Sequence, residues 1–287
     1  MDELDFSKPG KPAAPPPPQA PVINLAAALE FFRTAGKAET VAAGALIFSE
    51  KEKAGLFKSD KMYLLMEGEV ALSAGGKPIG TVKAGEIFGE MAAISDSPRS
   101  ATATARAACR LIGLDDKGFH AALKEKPEFA LTLLGMMTFR LRNMLARLAR
   151  TGALAGAQAG KEKRVFDKTL LAALAQGLGD ANTVHFERDK PIMREGSAGA
   201  VMYVVLEGRV AVSIKGNVVE RVPPGGVFGE MALVDQSPRA ATAMAETDCL
   251  LLTLNRGVFL QLVKTQPEFG VALLAAAAER VRFMASR

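Results

Sequence analysis

The chain is poor in the side chains that carry most hydrolytic and metal chemistry. It has two histidines in 287 residues, His120 and His185. One falls in a helical pattern and the other near a strand pattern, and neither has further ligand residues close in sequence. A metal-dependent β-barrel enzyme, which needs several histidines converging, is not expected. No Ser-His-Asp arrangement is visible either, so the chain is expected to be non-catalytic. Cysteine is just as scarce. Cys109 and Cys249 stand 140 residues apart, each opening an apolar run ("CRLIGL", "CLLLTL"). That placement reads as two equivalent buried strands rather than one disulfide. No uninterrupted apolar run is long enough to span a bilayer. The N-terminus, "MDELDFSK", is acidic and lacks an apolar signal region, so a cytoplasmic protein is expected.

What the chain does have is uneven. Residues 1–23 form a tail, with seven prolines between Pro9 and Pro21, and such a segment should be extended and unable to pack. Between Arg140 and Lys168 lie eight basic residues against two acidic ones, a larger net charge than the +5 of the whole chain. Few aromatics accompany these charges. A solvated helix face and linker therefore fits better than a nucleic-acid surface. "GALAGAQAGKEK" looks like a phosphate loop but has Ala155 where a Walker motif needs Gly, and Glu162 where it needs Ser or Thr.

An internal repeat organises the rest. "MYLLMEGEVALSA" from Met62 aligns with "MYVVLEGRVAVSI" from Met202, and "KPEFALTLL" from Lys126 with "QPEFGVALL" from Gln266. The offset is 140 throughout. Each copy begins with short alternating apolar runs broken by Gly, as in Ile47–Phe48, Tyr63–Met66, Val70–Ser73 and Thr81–Val82, and these predict strands of a β-roll or sandwich. Each copy closes with a helical pattern. In the first, Pro127 and Glu128 suit a helix start, while Arg147, Arg150 and then Gly152 suit its end. Leu134, Leu141 and Leu148 recur every seven residues. That seam suits pairing with a second chain, giving a homodimer through 127–150, and suits packing on its own β-domain equally well. The expected organisation is a tail over 1–23, one domain over 24–150, a linker over 151–164 and a second domain over 165–287.

The sharpest signal is "FGEMAAISDSPRSATATA" from Phe88 against "FGEMALVDQSPRAATAMA" from Phe228, with twelve of eighteen positions identical. A Gly before a Glu and a run of helix formers predicts a tight turn into a short helix, whose first amides make an anion site. An ionised Glu only accepts hydrogen bonds, and sugar hydroxyls donate them. Nine residues later comes an Arg, whose planar fork suits phosphate oxygens. Such a pocket fits a small molecule bearing both a phosphate and a ribose-type hydroxyl.

These residues resemble the phosphate-binding cassette of cyclic nucleotide-binding domains, the family of catabolite activators, kinase regulatory subunits and cyclic-nucleotide-gated channels. The resemblance runs from about Leu25 to Arg287. It implies an α+β, mainly β fold, with two jelly-roll-like β-rolls of about eight strands flanked by helices. It also implies that Glu90 and Glu230 accept the ribose 2′-hydroxyl, and that Arg99 and Arg239 pair with the cyclic phosphate. The amides at Gly89–Glu90 and Gly229–Glu230 would complete the phosphate site. The expected ligand contacts are thus Gly89, Glu90, Met91, Arg99 and Ser100 in one copy, and Gly229, Glu230, Met231, Arg239 and Ala240 in the other. Ser100 and Ala240 follow the cassette arginines where Thr often accompanies cGMP, so cAMP is favoured over cGMP. No metal or further cofactor is expected. For base contacts the closing helices offer Thr138, Arg140 and Arg142, and Arg280 and Arg282.

Departures from the pattern fall before the cassette. The first copy has five extra residues in an early hairpin, and Lys51 stands where the second has Gly196. The second site is therefore the better preserved. No helix-turn-helix follows the last helix, which argues against direct operator binding. Residues 1–24 contain no Arg, so a basic pseudosubstrate of the Arg-Arg-x-Ser type is absent from them. An unidentified protein partner is expected. A ligand-free scaffold and a regulatory subunit of another enzyme stay open as alternatives.

Overall fold

A computed structural model describes residues 23–53, 60–152, 162–234 and 237–285. The predicted tail (apart from Ile23), hairpin residues 54–59 and the middle of the predicted linker, 153–161, lie outside the described residues.

The first half runs α1 (Leu25–Ala35), β1 (Lys37–Val41), β2 (Leu46–Phe48), β3 (Met62–Glu67), β4 (Glu69–Ala74), β5 (Lys77–Lys83), β6 (Ile87–Phe88), α2 (Glu90–Ser95), β7 (Thr102–Ala105), β8 (Cys109–Leu114), α3 (Asp116–Glu125) and α4 (Glu128–Thr151). The second half runs α5 (Lys168–Leu178), β9 (Thr183–Phe186), β10 (Pro191–Met193), β11 (Met202–Glu207), β12 (Val210–Ile214), β13 (Asn217–Val222) and β14 (Val227–Phe228). It continues through a 3-10 turn (Glu230–Leu233), β15 (Thr242–Ala245), β16 (Cys249–Leu254), α6 (Arg256–Thr265) and α7 (Pro267–Ala285). Among the described residues, each half folds eight strands into two four-stranded antiparallel sheets of the same order. These are β1-β8-β3-β6 facing β2-β7-β4-β5, and β9-β16-β11-β14 with β10-β15-β12-β13. The two β-rolls stand in tandem, as the repeat predicts.

The alternation of a strand explains how one sheet serves two layers. Along β3, Met62 and Leu64 join the core shared with the helices, while Tyr63 and Leu65 join the core inside the roll. Strand β8 divides in the same way, with Ile112 and Leu114 on the helical side and Cys109 and Leu111 inside. Both cysteines are buried free thiols.

Polar caps start the helices. The Asn24 carboxamide accepts from the Ala26 and Ala27 amides ahead of α1, and Asp115, Asp167 and Asn255 do the same for α3, α5 and α6. Gly152 closes α4 in the left-handed conformation at φ 71°, where a side chain would be strained. Phe31 stacks on Phe129 at 4.1 Å between ring centres and meets Phe119 edge-on, tying α1, α3 and α4 together.

The leucine seam of α4 finds its partner inside the chain. Helix α4 packs along α7, its counterpart in the other half. Leu134 and Leu141 are buried there in the same core as Leu274, Ala278 and Val281. Cassette helix α2 also rests on α7, and the 3-10 turn rests on α4. Each cassette is thus covered by the closing helix of the opposite half.

Candidate functional site

Both cassettes use one backbone device. Gly89 (φ 74°) and Gly229 (φ 77°) turn the chain through the left-handed region directly before the Glu. A Cβ on either glycine would sit 2.9 Å from the cassette arginine's Nη1. The turn brings Glu and Arg together although nine residues separate them. Arg99 Nη1 donates to the Gly89 carbonyl at 2.8 Å, and Arg239 Nη1 to the Gly229 carbonyl at 3.0 Å.

The arginines differ in their second partner. Arg99 Nη2 lies 3.0 Å from the Asp60 carboxylate, and both side chains are buried, at 5% and 9% exposure. Its guanidinium also lies over the Phe48 ring, 4.2 Å from the centroid. Arg239 Nη2 donates instead to the Val201 carbonyl at 2.8 Å, and among the described residues no carboxylate pairs with it. Gly199 makes this possible. A Cβ there would fall 2.2 Å from Arg239 Nε. Burial pushes both guanidinium pKa values down; Asp60 is the main opposing influence at Arg99, whereas Tyr203 and Glu230 oppose it at Arg239.

The two glutamates are buried polar groups with a partner on their own closing helix. Glu90 accepts from Arg140 on α4. Glu230 accepts from Arg280 on α7 at 3.2 Å, and Arg280 also forks onto Glu220 with contacts of 3.0 and 3.1 Å. Burial disfavours the Arg280 charge, but Glu220 and Glu230 together outweigh it and hold the guanidinium protonated.

In the second half the predicted residues converge. Gly229, Glu230, Met231, Arg239 and Ala240 all line one cavity of about 540 Å³, whose remaining wall is largely apolar and includes Leu145, Ala272 and Ala275. In the first half Gly89, Glu90 and Arg99 come together in the same way, Met91 is buried beside them, and Ser100 is exposed. The turn at the start of the preceding hairpin is the same in both halves. Lys51 takes the left-handed turn (φ 65°) that Gly196 takes at φ 79°, and each amide donates to the carbonyl of its cassette arginine.

Sequence reasoning named the closing-helix side chains but not their jobs. Thr138 bonds back to the Gly135 carbonyl. Arg140 and Arg280 reach the cassette glutamates, and Arg142 and Arg282 cross to the other half. Asp60, Glu220, Gly199 and Val201 were missed altogether, since nothing local marks them. Among the described residues no three His, Cys, Asp or Glu side chains group to hold a metal ion, and no helix is long and apolar enough to cross a membrane.

Comparison with known proteins fits this geometry. The family model described as "Cyclic nucleotide-binding domain" matches residues 38–126 and 183–266. The chain belongs to the cyclic nucleotide-binding domain family and carries two copies of the domain. It is 28% identical over 207 residues to a cAMP-dependent protein kinase regulatory subunit of Eremothecium gossypii, covering 72% of this chain and 40% of the relative. It is 28% identical over 234 residues to a cGMP-dependent protein kinase of Toxoplasma gondii, covering 81% of this chain and 20% of the relative. The chain therefore spans well under half the length of both relatives. Among solved structures, the Thermus thermophilus catabolite activator protein aligns at 31% identity and a TM-score of 0.35, over 40% of this chain and 55% of that one. The cAMP-bound regulatory domain of Toxoplasma gondii protein kinase A aligns at 22% identity and a TM-score of 0.29, covering 85% and 86%.

Proposed function

We propose that the chain is a non-catalytic cytoplasmic sensor that binds a 3′,5′-cyclic nucleotide at two cassette sites, one in a domain over 24–150 and one in a domain over 165–287. The observation that carries this reading is Arg239. It is a buried guanidinium with no carboxylate partner among the described residues, at the wall of a 540 Å³ cavity that also holds the acceptor Glu230. A buried cation held by carbonyl dipoles is poised for an anion. In this reading Arg239 takes the cyclic phosphate together with the amides after Gly229, and Glu230 takes the ribose 2′-hydroxyl. Arg99, Gly89 and Glu90 play the same parts in the first site, with Met91, Ser100, Met231 and Ala240 as neighbouring contacts.

The ligand is cAMP in preference to cGMP. Ala240 has no hydroxyl at the position where Thr often accompanies cGMP, and this supports the preference. Ligand at Glu230 competes with the Glu230–Arg280 pair, which links occupancy to α7 and, through the α4–α7 packing, to the first half. That shift in population is what a protein partner would read. The curated relatives, by their names, regulate or contain kinases, and a kinase is the first partner class to try. Calorimetry with cAMP, cGMP and a cyclic dinucleotide on wild type and the Arg99→Ala/Arg239→Ala double variant tests the reading. cAMP should bind wild type most tightly, and the double variant should lose about 2–5 kcal/mol per site. Unchanged binding by the double variant would show that the cassettes are not the sites.

A further inference from the structure

The cassette arginines sit on peptide planes that are held from two directions. The Arg239 amide donates to the Ser197 carbonyl at 2.8 Å, and the Arg99 amide to the Glu52 carbonyl at 2.8 Å. Both contacts come from the hairpin of the same half. The carbonyl on the other edge of each plane belongs to the preceding proline and is held from the opposite half. Arg142 Nη1 on α4 donates to the Pro238 carbonyl at 3.2 Å, and Arg282 Nη2 on α7 donates to the Pro98 carbonyl. Arg142 and Arg282 are 140 residues apart, as are Pro98 and Pro238, so the chain reproduces internally the self-complementary interface of a two-fold dimer.

We infer that each phosphate-site arginine is positioned crosswise, Arg142 of the first half setting the Pro238–Arg239 step and Arg282 of the second half setting the Pro98–Arg99 step. A peptide plane is rigid, so fixing its carbonyl and its N–H together fixes the direction in which the next residue leaves. Removing the remote contact frees the plane to rock about the hairpin contact, and the guanidinium moves with it. Two further observations agree. Leu141, Arg142 and Leu145 of α4 form part of the second-site cavity wall, so that site is complete only when both halves are docked. Arg282 also lies within the field of Asp60, the partner of Arg99. Arg142 and Arg282 are thus positioning residues, and the two sites are coupled through them.

The inference rests on the cassettes being the ligand sites, and the test separates the two claims. In full-length protein, hydrogen exchange without ligand should rise at 238–242 in Arg142→Ala while 98–102 stays as in wild type; Arg282→Ala should give the converse. With cAMP, Arg142→Ala in an Arg99→Ala background should bind about tenfold more weakly, and Arg282→Ala in an Arg239→Ala background likewise. Arg142→Lys, which keeps a cationic N–H donor, should recover part of the loss. Effects confined to the half that carries the substitution, or no effect in either, would overturn crosswise positioning. If cAMP fails to bind even wild type, the ligand reading falls, and the exchange data alone judge the positioning.

Discussion

Arg99 shares its charge with Asp60, 3.0 Å away and comparably buried, whereas Arg239 leans on the carbonyls of Gly229 and Val201. The cassettes around them are otherwise close copies. The difference comes from a position two residues before the matching strands β3 and β11, Asp60 in one half and Ala200 in the other. A carboxylate cancels the guanidinium charge, while carbonyl dipoles steady it without cancelling it. An incoming cyclic phosphate therefore gains more at Arg239 than at Arg99. The glutamates differ in the opposite sense. Glu230 shares Arg280 with Glu220, but the position of Glu220 is Gly80 in the first half, and Arg140 meets Glu90 with 41% of its side chain exposed. Among the described residues, the second site thus couples a phosphate arginine without a carboxylate partner to a heavily braced ribose acceptor, and the first site does the reverse.

The largest expected effect breaks the brace. Arg280→Ala leaves Glu220 and Glu230 without their shared cation, and urea unfolding should report a loss of about 3–5 kcal/mol. Arg140→Ala takes a partly exposed cation from the buried Glu90 and should cost less, about 1–3 kcal/mol. Next in size, Ala200→Asp places a carboxylate in the second half where Asp60 stands in the first. Titration of cAMP into an Arg99→Ala background should then show about ten- to a hundredfold weaker binding, on the order of 1–3 kcal/mol. Unaltered affinity would mean that Asp60 is not what separates the sites. The smallest effect concerns the hairpins. Lys51→Gly relieves a left-handed backbone that Gly196 adopts freely, and should raise stability by about 1 kcal/mol in a thermal melt.

Much of this arrangement is legible in the sequence because it is local or repeated. The 140-residue offset alone predicts two copies of one strand set, and Pro127 to Gly152 delimits α4 to within a residue. The turn at Gly-Glu and the Arg nine residues on also sit within one cassette. What the sequence conceals are pairings between distant positions. Asp60 meets Arg99 from another strand connection, Arg280 meets Glu220 across 60 residues, and Arg282 meets Pro98 across 184. No local pattern marks a residue whose role depends on the other half docking against it. The leucine seam illustrates the limit: its period shows that α4 needs an apolar partner, and only the fold shows that the partner is α7. The second cassette also forms a 3-10 turn where α2 is helical, with Leu233 standing where Ala93, the better helix former, stands in the first.

The central claim is that two sites from one template differ in strength, with the second the tighter because no carboxylate among the described residues pairs with its arginine. Calorimetric titration of cAMP into Arg99→Ala and, separately, Arg239→Ala tests it most directly. The account predicts that Arg99→Ala keeps the high-affinity transition and that Arg239→Ala keeps only the weaker one. Retention of the tighter site by Arg239→Ala would contradict it.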